Sequence, residues 1–205
     1  MTRQRGEPAP LAESSAQTWL PYWQMVCPGH LGITTVGCAL GLASAAACGC
    51  GFDGTRALVT VTLALLAHAG ANALRTAYEA VNTASAAHCL APQRPAGITP
   101  SSHVSADDAK HWGWVLFGVS ALGGIWLALQ SGAGLLPVGM AGLLLAWALF
   151  APPFALMSRG LGEVTVTLVS WLVVMGADYS QRSHFFIIPA YVGVSFAVLT
   201  ACMSW

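Results

Sequence analysis

The chain has 205 residues, of which 56% are hydrophobic and 8% are charged. A soluble globular domain carries about 25% charged residues, so this composition, with a mean hydropathy of +0.64, indicates an integral membrane protein rather than a soluble one. The formal net charge is zero, and no basic excess is available to bind nucleic acid.

The chain begins with "MTRQRGEPAPLAESSAQ", which contains arginines but no apolar run. A secretory signal peptide needs an apolar stretch after its basic residues, so this segment does not resemble one. We expect residues 1–18 to form a cytoplasmic tail and residues 19–205 to form a single transmembrane domain.

Apolar segments follow one another along the rest of the chain, and most approach the length of about 20 residues that a membrane-spanning helix needs. Helices and closed barrels are the structures that satisfy the backbone in lipid, and no alternating barrel strands are visible. The sequence therefore predicts an all-α integral membrane bundle of about six helices. The predicted spans are 23–50, 57–84, 112–130, 134–151, 161–180 and 185–204.

The basic residues are distributed unequally between the two sides of such a bundle. Five fall on the tail and on the second and fourth connections, whereas Arg56 and Arg182 fall on the other side. Because basic residues accumulate on the cytoplasmic side, we expect a cytoplasmic N-terminus in the inner (cytoplasmic) membrane. The five are Arg3, Arg5, Arg94, Lys110 and Arg159.

Polar residues recur on one face of the second predicted span, in "HAGANALRTAYE" at residues 68–79. Their spacing of three and four residues places them on one narrow stripe of a helix. Ionisable residues in spans usually face a bundle interior or a wet cavity, so the stripe predicts a polar cavity lining. The alternative is an Arg75–Glu79 pair that satisfies itself. The residues are His68, Asn72, Arg75, Glu79 and Asn82.

A long polar interruption covers residues 85–111. Within it, Ser105 followed by "ADDAK" is a helix-start signature, because a serine can accept from first-turn amides and acidic residues suit the positive helix end. We expect a loop up to about residue 104 and then the third helix. The histidines of this segment, at positions 88, 103 and 111, do not have metal-ligand spacing.

A second polar motif, "SRGLGEVTV", follows a proline-broken turn after the fourth span. Arg159 could contact a phosphate or another anion at the helix start, with Glu163 in reach. The alternative is a positive-inside anchor with a local carboxylate partner. A third motif, "GADYSQR" at residues 176–182, favours interfacial anchoring at the outer end of the fifth span.

Six cysteines are present, most of them in apolar surroundings. Small hydrophobic packing is the favoured interpretation. Cys48-Gly-Cys50 would also allow a strained disulfide or half of a metal site, but a single C-x-C without a partner pair is a weak signal.

These motifs together resemble the UbiA superfamily of intramembrane aromatic prenyltransferases, in particular the branch of the 1,4-dihydroxy-2-naphthoate polyprenyltransferases. "CPGHL" at 27–31 is similar to that branch's R-P-K-T-L opening, and "APP" at 151–153 followed by R-G-L-G-E is the most specific similarity. The resemblance covers residue 20 to the end. It implies a helical bundle around a lipid-facing cavity, and magnesium-dependent transfer of a polyprenyl chain to an aromatic ring.

The residues depart from the family at its magnesium site. The position of the N-D-x-x-D motif reads Arg75-Thr76-Ala77-Tyr78-Glu79, which leaves Glu79 as the one candidate metal ligand. Magnesium prefers several oxygen ligands in near-octahedral geometry, so no cofactor is expected unless the protein is catalytic. The resemblance also implies that the C-terminal third of the family fold, with its second aspartate-rich motif, is missing.

We therefore expect a UbiA-like membrane protein without catalysis. It would act as a subunit of a membrane complex, or bind a quinone, an isoprenoid or another lipid in the remaining cavity. An open flank predicts a protein partner or self-association. The alternative is an active magnesium-dependent prenyltransferase on a dihydroxynaphthoate- or hydroxybenzoate-like acceptor in quinone biosynthesis, completed by a second chain. Candidate cavity residues are His68, Asn72, Arg75, Tyr78, Glu79, Asn82, Arg159 and Glu163.

Overall fold

The computed structural model describes residues 28–49, 51–87 and 105–203, with side chains for 31–49, 51–78 and 105–202. This part of the chain is all-helical, with six helices and no strand, which confirms the all-α part of the predicted fold class. The helices are α1 (Pro28–Ala47), α2 (Gly54–Ala87), α3 (Ala106–Ser131), α4 (Leu135–Phe150), α5 (Gly162–Arg182) and α6 (Ile187–Met203).

Successive helices run up and down. Short connections follow α1, α3 and α5, and they meet at one end of the bundle, which we call the short-loop end. Two of the helices contain segments that are long and apolar enough to cross a membrane, Gly54–Tyr78 and Ala106–Ser131. The structure thus contains two candidate membrane-spanning helices among the described residues, and the count of six spans stays a prediction.

Helices α2 and α3 make the most extensive pairing among the described elements. Their backbones approach closely because both carry glycine at the crossing. A Cβ added to Gly70 would lie 3.1 Å from the carbonyl oxygen of Gly113. One side chain also joins the two helices, since the Ser120 hydroxyl donates to the Leu63 carbonyl over 3.0 Å. Small residues at such crossings are how helices pack tightly in lipid.

Helix α5 lies at the centre and packs against each of the other five described helices. It packs most extensively against α1 and α6, and on α1 Gly37 and Gly41 lie one turn apart on the surface that faces α5. A Cβ added to Gly41 would stand only 2.3 Å from the carbonyl oxygen of Val174. Glycine at this position therefore lets the two backbones touch.

The start of α3 agrees with the sequence signature. Ser105 has extended backbone angles and is the N-cap, and its hydroxyl oxygen accepts from the Asp108 amide over 3.0 Å. Asp107 and Asp108 occupy the first turn, where carboxylates complement the helix dipole. The predicted helix start after residue 104 is confirmed, and α2 continues to Ala87 on the other side of this connection.

Candidate functional site

A half-open pocket lies at the end of the bundle opposite the short loops, where α2 meets the turn that follows α4. Its volume is about 160 Å³. The pocket combines the guanidinium of Arg75, the phenol of Tyr78 and the hydroxyl of Ser158 with apolar walls, so it offers hydrogen-bond donors next to an apolar surface. It is lined by Arg75, Tyr78, Leu149, Phe150, Ala155, Met157 and Ser158.

Cationic groups lie beside aromatic rings around this pocket. The guanidinium carbon of Arg75 is 5.8 Å from the centre of the Phe150 ring, and the Lys110 ammonium is 5.9 Å from the centre of the Tyr78 ring. Both distances are within the range of cation–π attraction. These contacts hold the two pocket side chains of α2 against α4 and α3.

The predicted stripe divides into two parts. The N-terminal part of the stripe, His68 and Asn72, is packed between helices. His68 Nδ1 lies 2.6 Å from the Thr34 hydroxyl of α1, and Asn72 is 8% exposed. Further along α2, Arg75 and the neighbouring Tyr78 reach the pocket. Arg75 therefore lines a pocket, whereas His68 joins α1 to α2, and a ligand-binding role for the stripe stays a prediction.

Two stripe residues fall outside the described side chains. Glu79 and Asn82 lie on α2, but their side-chain positions are not described, so the Arg75–Glu79 pair stays a prediction. Thr76, at the position of the family's first aspartate, uses its hydroxyl to donate to the Asn72 carbonyl over 3.1 Å. The Thr76 hydroxyl is thereby hydrogen-bonded within its own helix.

The second motif begins at the pocket, which its first residue, Ser158, lines, whereas Arg159 and Glu163 lie on the exposed surface outside the pocket wall. Arg159 donates from Nη2 to the Pro153 carbonyl over 2.8 Å, which ties together the turn after α4. Glu163 is exposed in the first turn of α5. Gly160 has a φ of 76°, the positive value that the glycine-rich sequence allowed. The ligand role predicted for Arg159 and Glu163 stays a prediction, and the structure does not place them with Arg75.

The third motif lies inside the bundle, so the prediction of interfacial anchoring was wrong. Asp178 and Arg182 form an ion pair with Oδ1 and Nε 3.3 Å apart, and their side chains are 1% and 2% exposed. Arg182 also donates through Nη2 to the carbonyl of Ser44 on α1. The reason is positional: α1 and α5 touch at Gly41, which brings the end of α1 against the last turn of α5.

Other side chains of the motif hold the short connections. Gln181 accepts the Asp53 amide over 3.0 Å, and the Tyr179 hydroxyl accepts the Gly134 amide over 3.1 Å. The carbonyl of Ser180 accepts from the Ser131 hydroxyl over 2.8 Å. The end of α5 is thus bonded to both of the other connections at the short-loop end. The i,i+4 spacing of Asp178 and Arg182 was a sequence signal for the pair.

The described side chains offer few ligands for a magnesium site of the family type. Among the described side chains, no group of three or more His, Cys, Asp or Glu residues is placed to hold a metal ion. The side chain of Glu79, the one ligand candidate from the sequence, is not among them. The described residues do not fit the ion, and whether the protein binds it stays a prediction.

The comparisons with known proteins give no relative. No family model, no curated protein and no solved structure matches the chain. The resemblance to UbiA prenyltransferases therefore rests on the motifs at residues 27–31, 68–79, 151–153 and 158–182 alone. The class that the structure supports is an all-helical protein with two helices suited to cross a membrane.

Proposed function

We propose that this chain is a non-catalytic, UbiA-like membrane protein that binds the head of a quinone, an isoprenoid or another lipid in the pocket at Arg75. The observation that supports this is the pairing of Arg75 and Tyr78 with apolar walls in one half-open pocket. Ligand sites are mostly apolar with a small number of placed polar groups. We infer that the apolar tail of such a ligand would leave the pocket through its open side.

The size of the pocket suits one ring or a compact polar head. An engineered apolar protein cavity of about 150 Å³ takes up benzene, and this pocket measures about 160 Å³. Arg75 and Tyr78 supply hydrogen-bond donors for a carbonyl or hydroxyl oxygen, while Phe150 and Leu149 supply surface for a ring. A substituted ring with an apolar tail is therefore a chemically matched ligand.

The proposal extends to a role as subunit of a membrane complex, through a partner or through a second copy of the chain. The departures from the family motif at Arg75 and Thr76 favour a non-catalytic role, as a binding protein or as a subunit, over prenyl transfer. A native mass spectrum of the protein from gentle detergent would test this part. A stable stoichiometric complex is expected, and a purely monomeric protein would contradict the subunit role.

The binding proposal is tested by titration of the purified protein with a benzoquinone that carries a short isoprenoid tail. Arg75→Leu is expected to weaken binding about tenfold or more, since a hydrogen bond to a charged group contributes about 1.5–3 kcal/mol. Tyr78→Phe should weaken it less. Arg56→Leu, at the opposite end of the bundle, is the matched control and should bind like the wild type. Equal affinity in all four proteins would contradict the proposal.

An enzymatic assay separates this function from the prenyltransferase alternative. The protein would be incubated with a polyprenyl diphosphate, magnesium and a dihydroxynaphthoate or hydroxybenzoate acceptor. No prenylated product is expected. Product that forms with magnesium and is lost in Glu79→Gln would replace the binding role with catalysis.

A further inference from the structure

A buried polar cluster occupies the interior of the short-loop end, separate from the Arg75 pocket. We define it as Ser44, Asp178 and Arg182. Both charged side chains are almost fully buried, and Arg182 reaches across to the Ser44 carbonyl. Ion pairs this deeply buried need additional hydrogen bonds to offset the loss of hydration.

Several polar atoms of this cluster have no hydrogen-bond partner among the described protein atoms. The Asp178 Oδ1 and Arg182 Nε atoms are 3.3 Å apart, which is an ion-pair distance, but they are not oriented for a hydrogen bond. Arg182 Nη1 is likewise buried without a hydrogen-bond partner, and the buried Ser44 hydroxyl lies beside the Asp178 carboxylate without a hydrogen bond of normal geometry. Native proteins pair nearly all such groups with protein or with ordered water.

The charges of the cluster decide what can complete it. Asp178 and Arg182 neutralise each other, so an added anion would face the carboxylate and an added cation would face the guanidinium. The unpartnered set contains donors on Arg182 and Ser44 and an acceptor on Asp178. A ligand that is small, neutral and able both to donate and to accept matches this set, and water has these properties.

We propose that the cluster is a hydration site, in which at least one ordered water molecule bridges Arg182 Nη1 and Asp178 Oδ1. The water accepts from the guanidinium and donates to the carboxylate, and the Ser44 hydroxyl completes its shell. Buried waters bind at polar sites that offer two to four hydrogen-bond partners. The site joins α1 to α5 and requires no property of the lipid pocket.

An experimental structure at a resolution that reveals ordered water tests this inference, combined with a bromide soak measured at the bromine absorption edge. The expected result is a water peak within hydrogen-bond distance of Arg182 and Asp178, with no anomalous signal. An anomalous peak at the cluster would identify an anion site and overturn the inference. Direct pairing of all these atoms, with no peak between them, would also overturn it.

A variant pair makes the test specific to the cluster. The double substitution Asp178→Leu with Arg182→Met removes the bridging partners, so the water peak should disappear. Arg56→Met breaks the exposed pair with Asp53 at the same end and should keep the peak. If the double variant does not fold, the peak in the wild type and in Arg56→Met still decides the inference.

Discussion

Arg182 and Asp178 are mutually dependent because neither side chain has access to bulk water. Removal of one charge from a buried pair leaves the other without compensation, at a cost of about 3–5 kcal/mol, whereas replacement of both by apolar residues is close to neutral. We therefore expect Arg182→Met to lower the free energy of unfolding in detergent by that amount. Asp178→Leu combined with Arg182→Met should recover most of the loss.

A control at the same end separates this effect from a general effect of charge removal. Arg56 and Asp53 also form an ion pair, but their side chains are 30% and 47% exposed. Solvent-exposed pairs contribute about 0–1 kcal/mol, so Arg56→Met should change stability little. Equal losses in Arg56→Met and Arg182→Met would contradict the special role of burial.

The sequence showed which polar residues share a helix face, but it did not show which other helices surround them. The spacing of His68 and Arg75 could be read from the sequence, because helical register follows from local sequence alone. The burial of Asp178 could not be predicted in the same way. The burial of Asp178 depends on the packing of α1 against α5. These helices meet at Gly41 and Val174, which are far apart in the chain.

Helix α1 carries a matched pair of glycines that tests its contact with α5. A Cβ at Gly41 would collide with backbone at 2.3 Å, whereas a Cβ at Gly32 meets nothing within 4 Å. Overpacking of this kind costs about 1–3 kcal/mol, so Gly41→Ala should destabilise the protein. Gly32→Ala should be neutral or stabilising by up to about 1 kcal/mol, because alanine favours helix.

The comparison is made by thermal unfolding of both variants in the same detergent. A lower midpoint for Gly41→Ala together with an unchanged or higher midpoint for Gly32→Ala is expected. Identical midpoints would show that α1 does not approach α5 at Gly41. The repeat Gly37-x-x-x-Gly41 was visible in the sequence as a close-packing signal, but the sequence alone does not tell which helix it faces.

The N-cap of α3 offers a second test of an element. Ser105→Ala removes the oxygen that accepts the Asp108 amide, and loss of such a cap costs about 1 kcal/mol. Ser105→Asn keeps an acceptor and should retain the stability of the wild type. Chemical denaturation distinguishes the two variants, and equal stability of Ala and Asn at this position would contradict the cap.

The arrangement of the whole bundle predicts which ends are accessible from each side of the membrane. His184 is exposed at the short-loop end and Arg159 is exposed at the opposite end. With a cytoplasmic N-terminus and six spans, a cysteine at His184 in a cysteine-free protein should react with an impermeant maleimide added to intact cells. A cysteine at Arg159 should react only after permeabilisation. Labelling of both from one side would contradict the topology.

The fold class was predictable because long apolar segments leave helices as the available structure. The ends of the helices were predictable where a capping residue marks them, as at Ser105. The pocket was only partly predictable: the sequence pointed to Arg75, whereas Phe150 and Met157 enter through the turn after α4, whose path depends on tertiary packing.

The central position of α5 has a consequence for how the protein is made. Charged residues such as Asp178 and Arg182 oppose entry of an isolated helix into lipid, most strongly at its centre. Their partner, the Ser44 region of α1, is synthesised much earlier. If α5 is a span, as the sequence predicts, the glycine face of α1 must remain accessible while α2, α3 and α4 are synthesised, so that Asp178 and Arg182 can reach Ser44 when α5 enters the membrane.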